Sequence, residues 1–208
     1  MDKGRLEAFS DGVIAIAITL LVLEIRVPTP IGGGADLANQ LGHQWPSYAA
    51  YAISFLTIGV VWINHHATIR RIQTVDHTLL ILNLLLLLVI GVVPWTTALL
   101  AEYLREPHGN RLTAIIYGGC FLLLTAIFYL LQRHILFGRN HLLHDHIDDT
   151  ARHRIDRRNR IGLLPYTLAT AAAALSAYLT LTICALLAVY YALPGTAYEA
   201  PTRETSGK

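Results

Sequence analysis

The sequence predicts an all-α polytopic membrane protein, and its composition and hydropathy are the two observations behind that prediction. Of the 208 residues, 54% are hydrophobic and 14% are charged, whereas soluble domains average about 45–50% and about 25%. Apolar runs of roughly 20 residues, the length that crosses a hydrocarbon core, recur along the chain. A backbone in lipid must satisfy its own polar groups, so we expect these runs to be helices.

Six spans account for the apolar runs. We expect them at about 7–25, 46–68, 78–101, 112–132, 161–175 and 178–193. The last two divide one tract that is too long for a single span and short for two, and Pro165 with an alanine-rich middle permits a hairpin there. We then expect residues 1–194 to form one six-span transmembrane domain and 195–208 to form a disordered cytoplasmic tail. The proline- and glycine-rich segment 28–44 is expected to be a flexible connector.

The first apolar segment resembles a secretory signal peptide because it is short and follows Lys3 and Arg5. No small-x-small cleavage site follows it, and further hydrophobic spans come after Pro28. We therefore expect this segment to stay attached as the first helix. Cys120 and Cys184 lie inside apolar spans, which favours packing roles over a disulfide or a metal site.

The basic residues fall mostly on one side of the six predicted spans. Thirteen lie there and three on the other side. The thirteen are Lys3, Arg5, Arg70, Arg71, Arg133, Arg139, Arg152, Arg154, Arg157, Arg158, Arg160, Arg203 and Lys208; the three are Arg26, Arg105 and Arg111. Because loops retained in the cytoplasm carry the excess of Lys and Arg, we expect both termini to lie in the cytoplasm. The net charge of +2 then reports topology, and no nucleic-acid partner is expected.

The first predicted helix begins with a polar cluster, namely Arg5, Phe9, Ser10 and Asp11. A charged side chain at the mouth of a hydrophobic helix is costly in lipid unless it faces protein or water. This cost points to a functional or supporting role for the cluster.

The same helix continues with an apolar stripe. Ile16, Leu20 and Leu23 follow one another at i, i+4 and i+7, and Thr19 lies on a neighbouring strip, where its hydroxyl can bond a carbonyl of the preceding turn or face water. The stripe has two interpretations. It is either ordinary helix packing, or a set of stacked hydrophobic rings formed by several copies of the helix around an axis.

Three stretches carry a resemblance to a known family. They are 5–25, which holds the motif Arg-x-x-x-Phe-Ser-Asp, the sequence Trp-Ile-Asn-His-His at 62–66, and 83–94. Together they resemble the transmembrane protein 175 family, the endosomal and lysosomal potassium channels and their prokaryotic relatives. The chain is similar to a single-repeat prokaryotic member, and this resemblance implies a protein of the bacterial inner membrane.

The resemblance implies a potassium-permeable cation channel that forms a homotetramer, with the first helix lining the pore. Ile16 matches the principal hydrophobic constriction, Leu20 and Leu23 match further apolar rings, and Thr19 matches a hydroxyl position. An apolar ring gates by dewetting, because a permeating ion would shed water there with nothing to replace it. The expected partners are potassium ions, with other monovalent cations as further candidates, and membrane lipids.

Arg5 and Asp11 then become structural supports rather than ion ligands. The second span, antiparallel to the first, carries potential partners for Asp11 at the same membrane depth. These are Trp62, Asn64, His65 and His66. A buried carboxylate must be paired, so we hypothesise a network centred on Asp11, completed by an indole, an imidazole or the Arg5 guanidinium.

Metal and cofactor sites are not favoured by the spacing. His65 and His66 are neighbours and point about 100° apart on a helix, unlike an i, i+4 pair. The loop at 141–153 collects His141, His144, Asp145, His146, Asp148 and Asp149, which could gather a divalent ion or sense pH. A solvated amphipathic linker is the preferred interpretation of that loop, and no cofactor is expected.

An enzyme and a transporter are the two alternatives to a channel. Ser54, Thr57 and the histidine pair form no recognisable triad or His-Glu-x-x-His motif, so an enzyme is not expected. A secondary transporter or proton-coupled carrier is the stronger alternative, because intramembrane residues such as Asp11, Glu24, Asn64 and His65 can form relays. The two halves of the chain show no convincing inverted repeat.

Overall fold

The computed structural model describes residues 2–29, 34–138, 142–143 and 149–193. Within these ranges the chain is helical, with loops and one isolated antiparallel bridge between Ile72 and Leu143. The helices are α1 (Lys3–Leu20), α2 (Gly34–His43), α3 (Trp45–Arg70), α4 (His77–Tyr103), α5 (Asn110–Phe137), α6 (Asp149–Ile161), α7 (Leu163–Ala172) and α8 (Ala177–Ala192). The predicted all-α class is confirmed.

Within the part of the chain that the structure describes, four helices are long and apolar enough to cross a membrane. They are Lys3–Glu24, which joins α1 to a 3₁₀ turn, Trp45–Arg70, His77–Tyr103 and Asn110–Phe137. Each of the first four predicted spans lies on one of them. The predicted spans 161–175 and 178–193 correspond to α7, of 10 residues, and α8, of 16 residues. Both are shorter than the roughly 20 residues of an ordinary span, so the six-span arrangement stays a prediction.

Two segments differ from the linkers expected there. Part of the connector at 28–44 forms α2, in which Gln40 donates to Asp36 Oδ2 one turn away (2.7 Å) and the first turn holds an acidic residue that complements the helix dipole. The end of the 141–153 loop begins α6, a basic helix without buried residues. Residues His141, His144, Asp145, His146 and Asp148, and the predicted tail at 195–208, lie outside the described residues.

The core centres on α4, which packs against α1, α3 and α5. Leu86, Ile90, Val93 and Leu100 of α4 are fully buried. Pro94 removes one backbone donor inside this helix. The hydroxyls of Thr96 and Thr97 both donate to the Val93 carbonyl of the same helix. The buried residues of α4 form the surface against which α1 packs.

The carboxyl-terminal helices pack closely on α5. At Gly118 an added Cβ would lie 3.1 Å from Thr170 Cα, so a larger residue would require α5 and α7 to move apart by a few tenths of an ångström. Thr180 of α8 donates to the Ala169 carbonyl of α7 (2.9 Å) across the hairpin. Cys184 is buried and Cys120 is partly buried, both as free thiols, in keeping with their predicted packing roles.

Candidate ion pathway and its supporting network

The first helix has two different faces. Its inner face is buried against the rest of the chain and consists of Leu6, Ser10, Ile14 and Ala17, with Leu21 continuing it into the 3₁₀ turn. These residues are spaced three or four apart, the spacing of one helix stripe. α1 therefore packs against the rest of the chain through one helix stripe, which consists of apolar side chains and one serine.

The outer face of α1 is apolar and remains uncovered in the single chain. Ile16, Leu20 and Leu23 are 61%, 43% and 71% exposed. Thr19 is exposed beside them, and its hydroxyl donates to the Ile16 carbonyl at 2.8 Å, the backbone bond expected from its position. All four residues predicted to line a pore thus point away from the bundle, toward lipid, a partner or a shared axis.

A buried polar network attaches the inner face of α1 to α3 and α4. Asn83 Nδ2 donates to Ser10 Oγ at 3.0 Å, and Ser10 Oγ donates to the Leu6 carbonyl at 2.8 Å. The Asn83 oxygen lies 2.8 Å from His65 Nε2. Because an amide oxygen only accepts, this contact assigns the proton to Nε2 of His65. Ser10, His65 and Asn83 are at most 1% exposed, so each needs these partners.

A second set of contacts surrounds Asp11 at the edge of the same helix pair. Trp62 Nε1 donates to Asp11 Oδ1 at 2.9 Å. His66 Nδ1 lies 3.2 Å from Glu7 Oε1, and the rings of Trp62 and His66 pack at a centroid distance of 5.9 Å. The indole is therefore the partner that the geometry gives to the Asp11 carboxylate.

Three of the predicted network residues lie apart from these contacts. Arg5 is exposed and makes no hydrogen bond or ion pair with any described residue. Phe9 is 50% exposed, and Asn64 donates to the Val60 carbonyl of its own helix at 2.9 Å. The structure thus brings together Ser10 with His65, and Asp11 with Trp62 and His66.

Two members of these networks were not among the predicted site residues. Asn83 is a lone amide inside an apolar run of α4, and a buried polar residue in such a run indicates a hydrogen bond between helices. Glu7 precedes Asp11 by four residues, the spacing that places two side chains on one helix face. Both features, the lone amide and the four-residue spacing, can be recognised in the sequence once the helices are assigned.

A separate hydroxyl cluster joins α3, α4 and α5. Ser54 Oγ lies 2.8 Å from Thr97 Oγ1 and 3.0 Å from the Tyr117 hydroxyl, with all three residues buried. Hydroxyls that bond one another across helices act as interhelical links in membrane proteins. The cluster therefore has a structural explanation as packing between spans.

Comparisons with known proteins identify one family. The family model described as "Endosomal/lysosomal potassium channel TMEM175" matches residues 5–94. The matched range runs from Arg5 in α1 to Pro94 in α4. It therefore includes the exposed stripe, the buried network and the Asp11 contacts.

Relatives match almost the whole chain. A potassium channel of Streptomyces collinus is 45% identical over 205 residues, covering 99% of this chain and 98% of the relative. A potassium channel of Chamaesiphon minutus is 42% identical and covers 94% of this chain and 96% of the relative. The crystal structure of a lysosomal potassium-selective channel TMEM175 homologue from Chamaesiphon minutus superposes with a TM-score of 0.80 at 41% identity, over 91% of this chain and 96% of that one.

Proposed function

Because this chain belongs to the endosomal/lysosomal potassium channel TMEM175 family, we propose that it is a potassium-permeable channel of the bacterial cell membrane. The observation that carries this proposal is similarity at 45% identity over 99% of the chain to a bacterial protein named a potassium channel. Such relatives are channels and not enzymes. The four long apolar helices make the protein a multi-pass membrane protein.

The pore is formed by α1 from several copies of the chain. One helix cannot enclose a pathway, and the apolar residues Ile16, Leu20 and Leu23 face outward from their own bundle. A closed ring of identical subunits places the same face of each α1 at a common axis. We propose a homotetramer, in which four such faces surround the bore.

The gate is the narrowest apolar ring, which we assign to Ile16. Four isoleucine side chains that meet at the axis offer no oxygen to a permeating cation, so the ion would lose water without replacement. Such a ring conducts only when it widens enough to stay wet. Leu20 and Leu23 extend the apolar stretch by about two turns toward the far end of the helix.

Potassium preference arises next to this gate. The Thr19 hydroxyl donates its proton to the Ile16 carbonyl, which leaves the oxygen lone pairs free to face a cation. A ring of four such oxygens replaces part of the hydration shell. Water binds potassium less strongly than it binds sodium. Partial dehydration at the Thr19 ring therefore favours potassium modestly.

The proposed topology places both termini in the cytoplasm, with α7 and α8 completing six spans. The basic helix α6, which carries Arg152, Arg154, Arg157, Arg158 and Arg160, then lies on the cytoplasmic side. Arg26 and Glu102, which form an exposed ion pair at 3.1 Å, lie on the outer side.

Flux through liposomes that contain the purified protein tests the proposal. Potassium and sodium gradients are compared for the natural sequence, Ile16→Asn and Leu88→Asn, where Leu88 is 63% exposed on α4. We expect potassium flux with single-channel steps, and a raised sodium-to-potassium flux ratio for Ile16→Asn alone. Saturable transport with a turnover limit would contradict a channel. An unchanged ion preference in Ile16→Asn would remove Ile16 as the constriction.

A further inference from the structure

We propose that Glu7, Asp11 and His66 form a binding site for a divalent transition-metal cation near the amino-terminal end of α1. One ligand atom from each of these side chains can be chosen so that all three atoms lie within 4.8 Å of one another. Two ligands come from α1, one turn apart, and the third comes from α3. The site therefore bridges two helices.

The spacing of the ligand atoms is close to that of a bound metal. Donor atoms about 2.0–2.1 Å from a tetrahedral zinc ion are separated by about 3.3 Å. His66 Nδ1 and Glu7 Oε1 are already 3.2 Å apart. The three ligand atoms together lie within 4.8 Å of one another, so binding a zinc ion requires them to approach by at most about 1.5 Å.

His66 presents an unused ligand atom to this cluster. Its Nδ1 is shielded from solvent and makes no hydrogen bond with any described residue, although Glu7 Oε1 is 3.2 Å away. The His66 side chain as a whole is 37% exposed, and this contact with Glu7 has the distance of an ion pair without the alignment of a hydrogen bond. Coordination of a cation through the Nδ1 lone pair would use the atom that this contact leaves poorly satisfied.

Trp62 acts as the outer support that such a site needs. Its indole donates to Asp11 Oδ1 at 2.9 Å, which orients the carboxylate and leaves the second oxygen to bind. The same ring packs against the His66 imidazole at 5.9 Å between centroids. Outer partners that orient ligands in this way raise the affinity of metal sites.

The donor set selects the class of ion. Two carboxylates bring two negative charges against one imidazole, which is neutral when it binds a metal. One nitrogen and two carboxylate ligands suit zinc, cobalt or manganese, whereas magnesium and calcium prefer oxygen alone. Three protein ligands leave further coordination positions to water.

A bound ion would link α1 to α3. On the proposed function α1 lines the pore, so the metal restrains the helix that has to move when the apolar ring widens. Zinc on the cytoplasmic side is then expected to lower potassium flux. This consequence rests on the proposed function, but the site itself does not.

Calorimetric titration of zinc into the full-length protein in detergent micelles tests the site. Glu7→Gln keeps an oxygen beside His66, and Asp11→Asn keeps an oxygen for the Trp62 N–H, so both variants retain the local contacts. We expect each to weaken zinc binding at least about tenfold, since loss of even an outer partner costs about 10–100-fold. The melting temperature of each variant in chelator verifies that the fold is retained.

The controls separate this site from other metal-binding side chains. Glu102→Gln and His108→Gln remove an exposed carboxylate and an exposed imidazole elsewhere, and both should bind zinc as the natural sequence does. His144→Gln tests the histidine-rich loop. Zinc affinity that falls in His144→Gln and persists in Glu7→Gln, or an absence of zinc binding, would overturn the proposal. Zinc binding without potassium flux in liposomes would refute the proposed function and leave the site standing.

Discussion

The two faces of α1 differ in whether other residues of the same chain cover them. The inner face is complete within one chain, because Ile14 is 1% exposed and Ser10 is bonded through Asn83 to His65. The outer face, with Ile16 61% exposed, finds no partner among the described residues. One chain therefore buries the inner face of α1 completely and leaves the apolar outer face uncovered.

The sharpest test of this comparison is a pair of truncations two residues apart. Ile14→Ala removes buried packing and should lower the free energy of unfolding by about 2–3 kcal/mol. Ile16→Ala should change the stability of the isolated subunit little and alter flux instead. Denaturation by SDS in mixed micelles measures the first effect, and liposome flux measures the second. Equal destabilisation by both truncations would erase the distinction between the faces.

Asn83→Leu tests the polar part of the inner face. It removes the acceptor of the His65 Nε2–H and one of the two hydrogen bonds of Ser10, which keeps its bond to the Leu6 carbonyl. One buried donor is left unsatisfied, so we expect a loss of about 2 kcal/mol. Asn64→Leu is the matched control, because Asn64 bonds only within its helix among described residues. The two unfolding midpoints should differ, with the Asn83 variant lower; coincident midpoints would show that the network contributes nothing.

Trp62→Phe tests the edge between the two faces. It keeps an aromatic ring beside His66 but removes the N–H that bonds Asp11. Trp62 is 40% exposed, which weakens the bond relative to a buried one, so we expect a loss of about 1 kcal/mol. Asp11→Asn in the same background should add little further destabilisation if the two residues act as one pair.

Thr19→Val has the smallest expected effect on stability. The residue is exposed and its hydroxyl bonds only to its own helix among described residues, so the change should stay within about 0.5 kcal/mol. If the outer face lines the pore, the potassium-to-sodium permeability ratio nevertheless falls. Reversal potentials in bi-ionic solutions measure that ratio, and an unaltered value would place Thr19 outside the pathway.

Much of the fold was predictable from hydropathy because a membrane leaves few alternatives to helices. The first four predicted spans fall on α1, α3, α4 and α5, whose apolar runs are long. The helices α2 and α6 were not predicted, because neither contains the apolar run of about 20 residues on which the prediction of spans depends. The division of 161–193 into two helices was predicted from Pro165 and the alanines, but no pattern gave their close packing at Gly118.

The candidate site was predicted in part. The motif that contains Ser10 and Asp11 could be recognised, and the indole of Trp62 was one of three expected partners for the carboxylate. Trp62 rather than Arg5 bonds Asp11 because the packing of α1 against α3 brings the indole within reach of the carboxylate. Asn83 lies 73 residues from Ser10 along the chain, so only the packing of α4 against α1 brings the two together.

The sequence by itself determined the membrane class, the helical spans and the family, because apolar length and a specific motif are properties of neighbouring residues. Tertiary structure alone decided which face of α1 is buried, which groups pair with Asp11 and His65, and that Glu7 meets His66. Those facts depend on distances of a few ångströms between helices far apart in the chain, and such distances are set by packing.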